Sequence, residues 1–243
     1  MSKYTVITLD ELESTNAYAL EFMTSFDDKT VVSAVKQTKG RGRYNRKWIG
    51  DDSSNLYMTI VLKPDYTTNY PFTNLTQYLS VSLCKVLEKD FDITPSIKWP
   101  NDILVDGCKI SGILAESSVR NNKIEGIALG LGVNVNLKQE TIKQIDQKAT
   151  SMLVLKNKHF DVDDVMKKIC DCFFENYEEF VQKGFSFIKE DYVKRCEFLG
   201  KNITIREENK QYFAQDIDND GLLLVKDELN KVSKIITGDV LCV

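Results

Sequence analysis

Three short runs hold most of the chemistry this sequence offers. The first, residues 40–48, reads GRGRYNRKW. Its glycines let the backbone approach a ligand and turn N–H groups toward an anion. The interleaved Arg41, Arg43 and Arg46 can fork onto phosphate or carboxylate, and Trp48 can stack on a base or cap a pocket. A solvated basic loop or a nonspecific nucleic-acid patch would carry the same text. The second run is KWPND at 98–102, followed by KISGILAE at 109–116. Pro100 stiffens the approach to a hairpin that Asp106-Gly107 tightens. With Ile110, Ile113 and Leu114 as core anchors, across a glycine irregularity at Gly112, Lys109 becomes a fixed cation. Asp102 is a candidate magnesium ligand, since magnesium takes one or two carboxylates plus ligand phosphates. A charged hairpin with a surface lysine is the alternative. The third run, GIALGLGVNVN at 126–136, puts Gly130, Gly132 and Asn134 on one strand parity. Small residues there leave room for a ligand over the sheet, and Asn134 can reach a nucleobase edge. Close backbone packing is the other use of such glycines. No dinucleotide or P-loop fingerprint is present.

The elements that must position these runs follow from pattern. Alternating, β-branched residues predict a strand at 5–9, and further strands are expected at 30–35 and 56–62. Ser14, Thr15 and Asn16 offer N-caps for a helix at 17–23. Residues 36–54 lack a period and are expected to form a long loop. Leu75, Leu79, Leu83, Val86 and Leu87 predict a helix over 72–87. Strands are expected at 96–99, 103–105, 109–116 and 124–135, with turns at Asp106-Gly107 and Asn121-Asn122, giving a mainly antiparallel sheet. Val165, Ile169, Phe173, Tyr177 and Phe180 predict one amphipathic helix over 161–180, and another helix is expected at 187–198. Five short strands after Gly200, at 202–205, 212–216, 222–225, 232–236 and 240–243, predict a small β-barrel.

Composition narrows the function classes. The 243 residues carry 32 Lys and Arg against 36 Asp and Glu, for a net charge of −4. Seven of the basic residues fall within 29–50, which has no acid, so an acidic chain carries one anion-binding segment. A nucleic-acid-binding domain would be basic more broadly. The single His159 excludes a histidine-rich metal site or a two-histidine mechanism. Cys84, Cys108, Cys170, Cys172, Cys196 and Cys242 form no zinc pattern and are expected as reduced thiols acting as small core hydrophobes. No export signal or membrane-length apolar run appears, so a cytoplasmic protein is expected.

Taken together and in this order, the three runs resemble the biotin protein ligases, which join biotin to carboxyl carrier proteins. The resemblance covers residues 9–153, from LDELESTN at 9–16 through Gln37, GRGRYNRKW, SNLY at 54–57, KWPNDILVDGCKISGILAE and GLGVNVN to Ala149-Thr150-Ser151. It implies an α+β fold of the class II synthetase and biotin-ligase type, with a mixed, mainly antiparallel sheet whose helices pack on one face. A catalytic domain at 1–198 would precede an SH3-like β-barrel at 199–243. The matching positions imply that Ser14, Thr15, Asn16, Gln37, Arg41, Gly42, Arg43, Lys109, Gly112 and Gly130 bind biotin. Arg43, Arg46, Trp48, Asn101, Lys109, Gly132 and Asn134 would bind ATP or the adenylate. Lys109, Arg41 and Arg43 would be catalytic. Asn45 stands where the family loop often has Gly, and it is expected to tolerate a left-handed backbone with altered loop mobility.

The resemblance further implies two steps: biotin attacks the α-phosphate of ATP, releasing pyrophosphate, and an acceptor lysine then attacks the adenylate. Magnesium is expected, with no tightly bound prosthetic group. The expected partners are biotin, ATP and a biotin carboxyl carrier domain of a carboxylase, without DNA or membrane, in a monomer or homodimer. Only about eight residues precede the first motif, too few for a helix-turn-helix domain, so a repressor role is not expected. The alternatives are a lipoate or octanoate ligase of the same fold and a noncatalytic biotin-binding module.

Overall fold

The computed structural model describes residues 3–49, 55–64 and 72–242. In chain order the first part contains β1 (Thr5–Leu12), α1 (Thr15–Glu21), β2 (Thr30–Gln37), β3 (Leu56–Leu62), α2 (Leu75–Phe91), β4 (Ser96–Lys98), β5 (Asp102–Val105), β6 (Cys108–Arg120) and β7 (Lys123–Val133). These strands form one sheet in the order β1-β2-β3-β7-β6-β5-β4, in which only the β1–β2 pair is parallel. The two predicted hairpin turns form where Asp106 and Gly107 (φ 50° and 72°) and Asn121 and Asn122 (φ 50° and 59°) adopt left-handed backbone, as such turns require.

Strand parity sorts the sheet into two unlike faces. Leu56, Met58, Ile60 and Leu62 of β3 and Ile127, Leu129, Leu131 and Val133 of β7 point into one large apolar core under α2. The other face of β7 carries Gly126, Ala128, Gly130 and Gly132. Helix α1 lies on that face, packing Ala19 and Met23 against Val32, Val61 and Ala128. Helices therefore cover both faces rather than one, because the glycine and alanine stripe leaves depth for α1.

Next come α3 (Gln139–Ile142), α4 (Met152–Lys156), α5 (Val162–Glu175), α6 (Tyr177–Lys183) and α7 (Lys189–Val193). The expected single helix at 161–180 is two, broken at Asn176 (φ −123°, ψ 20°). Asparagine competes for backbone hydrogen bonds, while Phe173 and Tyr177 keep their rings 5.4 Å apart across the break. The expected helix at 187–198 is a 3-10 turn at Gly184–Phe187 followed by the five-residue α7. Burial of Phe185 against Tyr192 holds this irregular path.

Strands β8 (Asn202–Ile205), β9 (Lys210–Ile217), β10 (Leu223–Lys226), β11 (Val232–Ile235) and β12 (Val240–Cys242) form an antiparallel five-stranded sheet in the order β11-β10-β9-β8-β12. Ile203, Ile205, Ala214, Ile217, Leu223 and Val225 share the main core. Its β9–β10 turn docks closely: the Gly221 carbonyl accepts from Gln77 Nε2 (2.8 Å) and Trp99 Nε1 (3.1 Å). At φ +81°, Gly221 would place a Cβ 2.5 Å from Asn74 and Gln77, so glycine is needed there.

Cys84, Cys170 and Cys196 are buried free thiols, and burial pushes the Cys170 thiol up to about 12. Cys108 and Cys172 are only half-buried, because Cys108 opens β6 beside an exposed turn. The side chain of Cys242 lies outside the described set, as do Ser54 and Val243. No helix among the described residues is long and apolar enough to cross a membrane.

Candidate functional site

A cleft, open at its mouth, lies on the α1 face of the large sheet. Every residue singled out from the sequence lines it except Asn134. Asn134 lines a small adjoining cavity, and Lys109 and Trp48 border both spaces.

At the α1 end, a polar network closes the floor. Ser14 caps α1 by accepting from the Ala17 N–H. The Thr15 N–H donates to Gln37 Oε1 (2.7 Å). Thr59 donates to Asn16 Oδ1 (2.6 Å) and lies 2.9 Å from the Thr15 hydroxyl. Asn16 Nδ2 donates to the Leu114 carbonyl (3.1 Å) and to Glu116 (2.9 Å). Glu116 also pairs with Arg41 at 3.0 Å. Asn16 fits because Gly130 has no side chain, and a Cβ there would stand 2.1 Å from Asn16 Oδ1.

Toward the other end, Lys109 is fixed as expected, but by different means. Its N–H donates to the Lys148 carbonyl and its carbonyl accepts from the Thr150 N–H, both at 2.9 Å. Its ammonium pairs with Asp102 at 2.7 Å, with both side chains about 15% exposed. The irregularity in the β5–β6 pairing falls opposite Ile103 and Leu104, not at Gly112. There Ile110 is an extra residue, and the resulting shift turns Lys109 over the cleft. Ile110 and Ile113 are buried as expected. Leu114 has the opposite parity to Ile113 and lines the cleft instead.

Residues 40–48 fold into a hairpin over the cleft. Gly42 N–H donates to the Arg46 carbonyl (2.8 Å), Trp48 N–H donates to the Gly40 carbonyl (2.9 Å), and Arg41 bridges Lys47. The left-handed residue of this turn is Tyr44 (φ 56°, ψ 34°), not Asn45. The Arg43 and Arg46 guanidinium groups lie over the Tyr44 ring, 5.0 Å and 5.6 Å from its centroid, cation–π contacts that offset the strain. Trp48 lies over Gly112 and Gly132, whose added Cβ atoms would be 3.1 Å and 2.6 Å from its ring. The glycines thus do not leave open floor. Asn16 and Trp48 occupy the depth they create.

Two buried polar atoms at this end lack a hydrogen-bond partner: Trp48 Nε1 and Asn134 Oδ1. Asn134 Nδ2 donates to the Thr150 carbonyl (3.0 Å), which aims the amide. Unpaired buried groups of this kind are rare and point to a ligand or water.

The arginines reach the C-terminal sheet. Arg43 donates to Asn101 Oδ1 (3.1 Å), the Gly238 carbonyl (3.1 Å) and Thr237 (2.8 Å). These acceptors are neutral, and among the described residues no carboxylate pairs with Arg43. Arg46 pairs with Asp239 at 2.8 Å and Lys98 pairs with the same carboxylate at 2.7 Å. Burial pushes the Asp239 carboxyl up, but Lys98 and Arg46 together bring it below the usual carboxylate range. Thr59, Glu116 and Asp239 had no role in the sequence reading. Thr59 alone left a signal, a polar residue in the buried strand β3.

The carboxylates lining the cleft are committed, Asp102 to Lys109 and Asp239 to Lys98 and Arg46. Among the described residues no cluster of three His, Cys, Asp or Glu side chains could hold a metal. Asp102, the expected magnesium ligand, is a single carboxylate whose partner here is the Lys109 ammonium.

Comparison with known proteins matches residues 9–134 to the biotin/lipoate A/B protein ligase family and residues 198–242 to the biotin protein ligase C terminal domain. The chain is 31% identical over 236 residues to the bifunctional ligase/repressor BirA of Bacillus subtilis, spanning 95% of this chain and 72% of that protein. It is 27% identical over 225 residues to the biotin--[acetyl-CoA-carboxylase] ligase of Paracoccus denitrificans, covering 90% and 92% of the two chains. Among solved structures, the Aquifex aeolicus biotin protein ligase in complex with biotin and ATP superposes with a TM-score of 0.85. It shares 28% identity and 97% coverage of each chain.

Proposed function

The chain belongs to the biotin/lipoate A/B protein ligase family, and we infer from this that it is an ATP-dependent biotin protein ligase acting on a biotin carboxyl carrier domain. The observation that carries the reading is a polar, hydrogen-bonded cleft end and, across Lys109 and Trp48, an adjoining cavity where Trp48 and Asn134 atoms are unsatisfied.

The polar end suits the ureido ring of biotin, whose N–H groups and carbonyl can exchange partners with Thr15, Asn16, Gln37 and Thr59. A lipoyl chain offers no such groups and would gain no hydrogen bonds from this network. At the other end, the adenine amino group would donate to Asn134 Oδ1, and the Trp48 indole N–H would find an acceptor on the nucleotide.

Lys109 acts where the two substrates meet. A carboxylate is ionised at neutral pH, with a pKa of about 4, so the first nucleophile needs no general base. One carboxylate oxygen of biotin bonds to the α-phosphorus, and the bond to the leaving pyrophosphate breaks. Fixed cations lower this barrier by offsetting charge as two anions approach. Lys109, Arg41 and Arg43 supply them. In the second step an uncharged acceptor amine bonds to the acyl carbon, the acyl–phosphate bond breaks, and AMP departs while the amine loses a proton. The 40–48 hairpin covers the mixed anhydride and excludes water.

Magnesium entering with ATP would be held by phosphate oxygens, as this ion commonly is. We assign 1–198 to the substrate-binding domain and 199–243 to a second domain that supports the loop. Transfer is tested by incubating the chain with biotin, ATP and a carrier domain, then locating the adduct by mass spectrometry. Biotin on one carrier lysine is expected; an unmodified carrier would overturn the reading.

A further inference from the structure

Among the described residues Asp239, just ahead of β12, is the only cleft-lining residue from the C-terminal part of the chain, and it faces several cations. Besides Arg46 and Lys98, Arg206 Nε lies 3.5 Å from its carboxylate. Its own N–H donates to Glu207 (2.9 Å), and Arg206 N–H donates to its carbonyl (3.1 Å). The two residues before it, Thr237 and Gly238, hold Arg43. Three consecutive residues thus hold two of the three loop arginines, Arg43 and Arg46, and the lysine that opens the KWPND run. Arg43, Arg46, Lys98 and Arg206 outnumber Asp239 and Glu207, so the cluster retains positive charge toward the cleft.

We propose that Asp239 is a positioning residue for the nucleotide end. By pairing with Arg46 and Lys98 together, it fastens the 40–48 hairpin to the C-terminal sheet and holds both cations toward the ATP phosphates. This rests on the ligase reading above. Without the shared carboxylate, neighbouring cations repel and the hairpin loses its anchor. The cations would then have to be gathered by ATP itself, a penalty paid in apparent nucleotide affinity.

The test uses the full chain and the variants Asp239→Asn, Asp239→Glu and Arg46→Ala, with Glu228→Gln on the exposed rim of the same sheet as control. In hydrogen exchange without ligand, amides of 40–48 should exchange about tenfold faster in Asp239→Asn and Arg46→Ala, because one partner of a partly buried ion pair is lost. In biotin-dependent pyrophosphate release, the KM for ATP should rise about tenfold while kcat and the KM for biotin stay within about threefold. Asp239→Glu should recover most of the loss, and the double variant should be no worse than the poorer single one. Arg46 is half-exposed, so its variant reports even if Asp239→Asn misfolds. Unchanged loop exchange in both single variants, or equal rises in both KM values, would overturn the proposal. Absence of pyrophosphate release in the unaltered chain would overturn the ligase reading as well. That differs from failure of this proposal alone, where release proceeds and ignores Asp239.

Discussion

The two ends of the cleft are built on opposite terms. At the α1 end, Thr15, Asn16, Gln37, Thr59 and Glu116 satisfy one another, and the floor is complete before any ligand arrives. At the Trp48 end, Trp48 Nε1 and Asn134 Oδ1 are buried without partners, and the cations are gathered by a loop. A preformed network can select by shape and hydrogen-bond pattern, because only a ligand with matching polar groups can exchange bonds with it. An unsatisfied, loop-covered end gains most when its ligand arrives. The contrast is between selecting one substrate and closing over another.

The sharpest way to break this comparison is to remove the group at the junction. Lys109→Ala should lower adenylate formation by at least about 100-fold, the usual effect of losing one preorganised charge-stabilising donor. The unfolding midpoint should change little, because the Lys109 backbone bonds remain; a full adenylation rate in the purified variant would contradict this role.

Next in size are two substitutions on one face of β7. Gly130→Ala puts a Cβ against Asn16, and Gly132→Ala puts one against Trp48. Each should weaken binding by about tenfold, the scale of one overpacked methyl. Calorimetry should show the first acting on biotin and the second on ATP. Equal losses of both ligands in each variant would erase the distinction between the ends.

A smaller effect is expected for Thr59→Val. It keeps the volume but leaves Asn16 Oδ1 and Thr15 short of a partner, which costs about 1–3 kcal/mol when buried. Biotin affinity and thermal stability should fall together while ATP affinity holds. The smallest effect is a pH dependence at Asp239. Its carboxyl is depressed on folding, so its contribution is present above the unfolded pKa of about 3.9 and lost as pH falls through the lower folded value. The stability gap between the unaltered chain and Asp239→Asn should be full at about pH 6 and shrink below about pH 4, measured by thermal unfolding.

Much of this was legible in local pattern. Strands at β1, β3 and β7, the Asp106-Gly107 and Asn121-Asn122 turns, and the five C-terminal strands all follow from strand-forming residues and turn chemistry. The residues of the three chemical runs also meet in space. What local pattern misses is set by packing across the chain. Asn176 breaks a helix that periodicity extends, and Gly130 and Gly132 make room for Asn16 and Trp48 from distant segments. Asp239 sits in an unremarkable Gly-Asp pair until the fold brings Lys98 and Arg46 to it. Tyr44, rather than Asn45, takes the left-handed turn because two guanidinium groups hold its ring.

The most direct test of the two-ended cleft is pyrophosphate release, measured with ATP alone, biotin alone, both together, and lipoate with ATP. The account predicts release only with biotin and ATP together. Release with lipoate and ATP at a matching rate, or none under any condition, would contradict it.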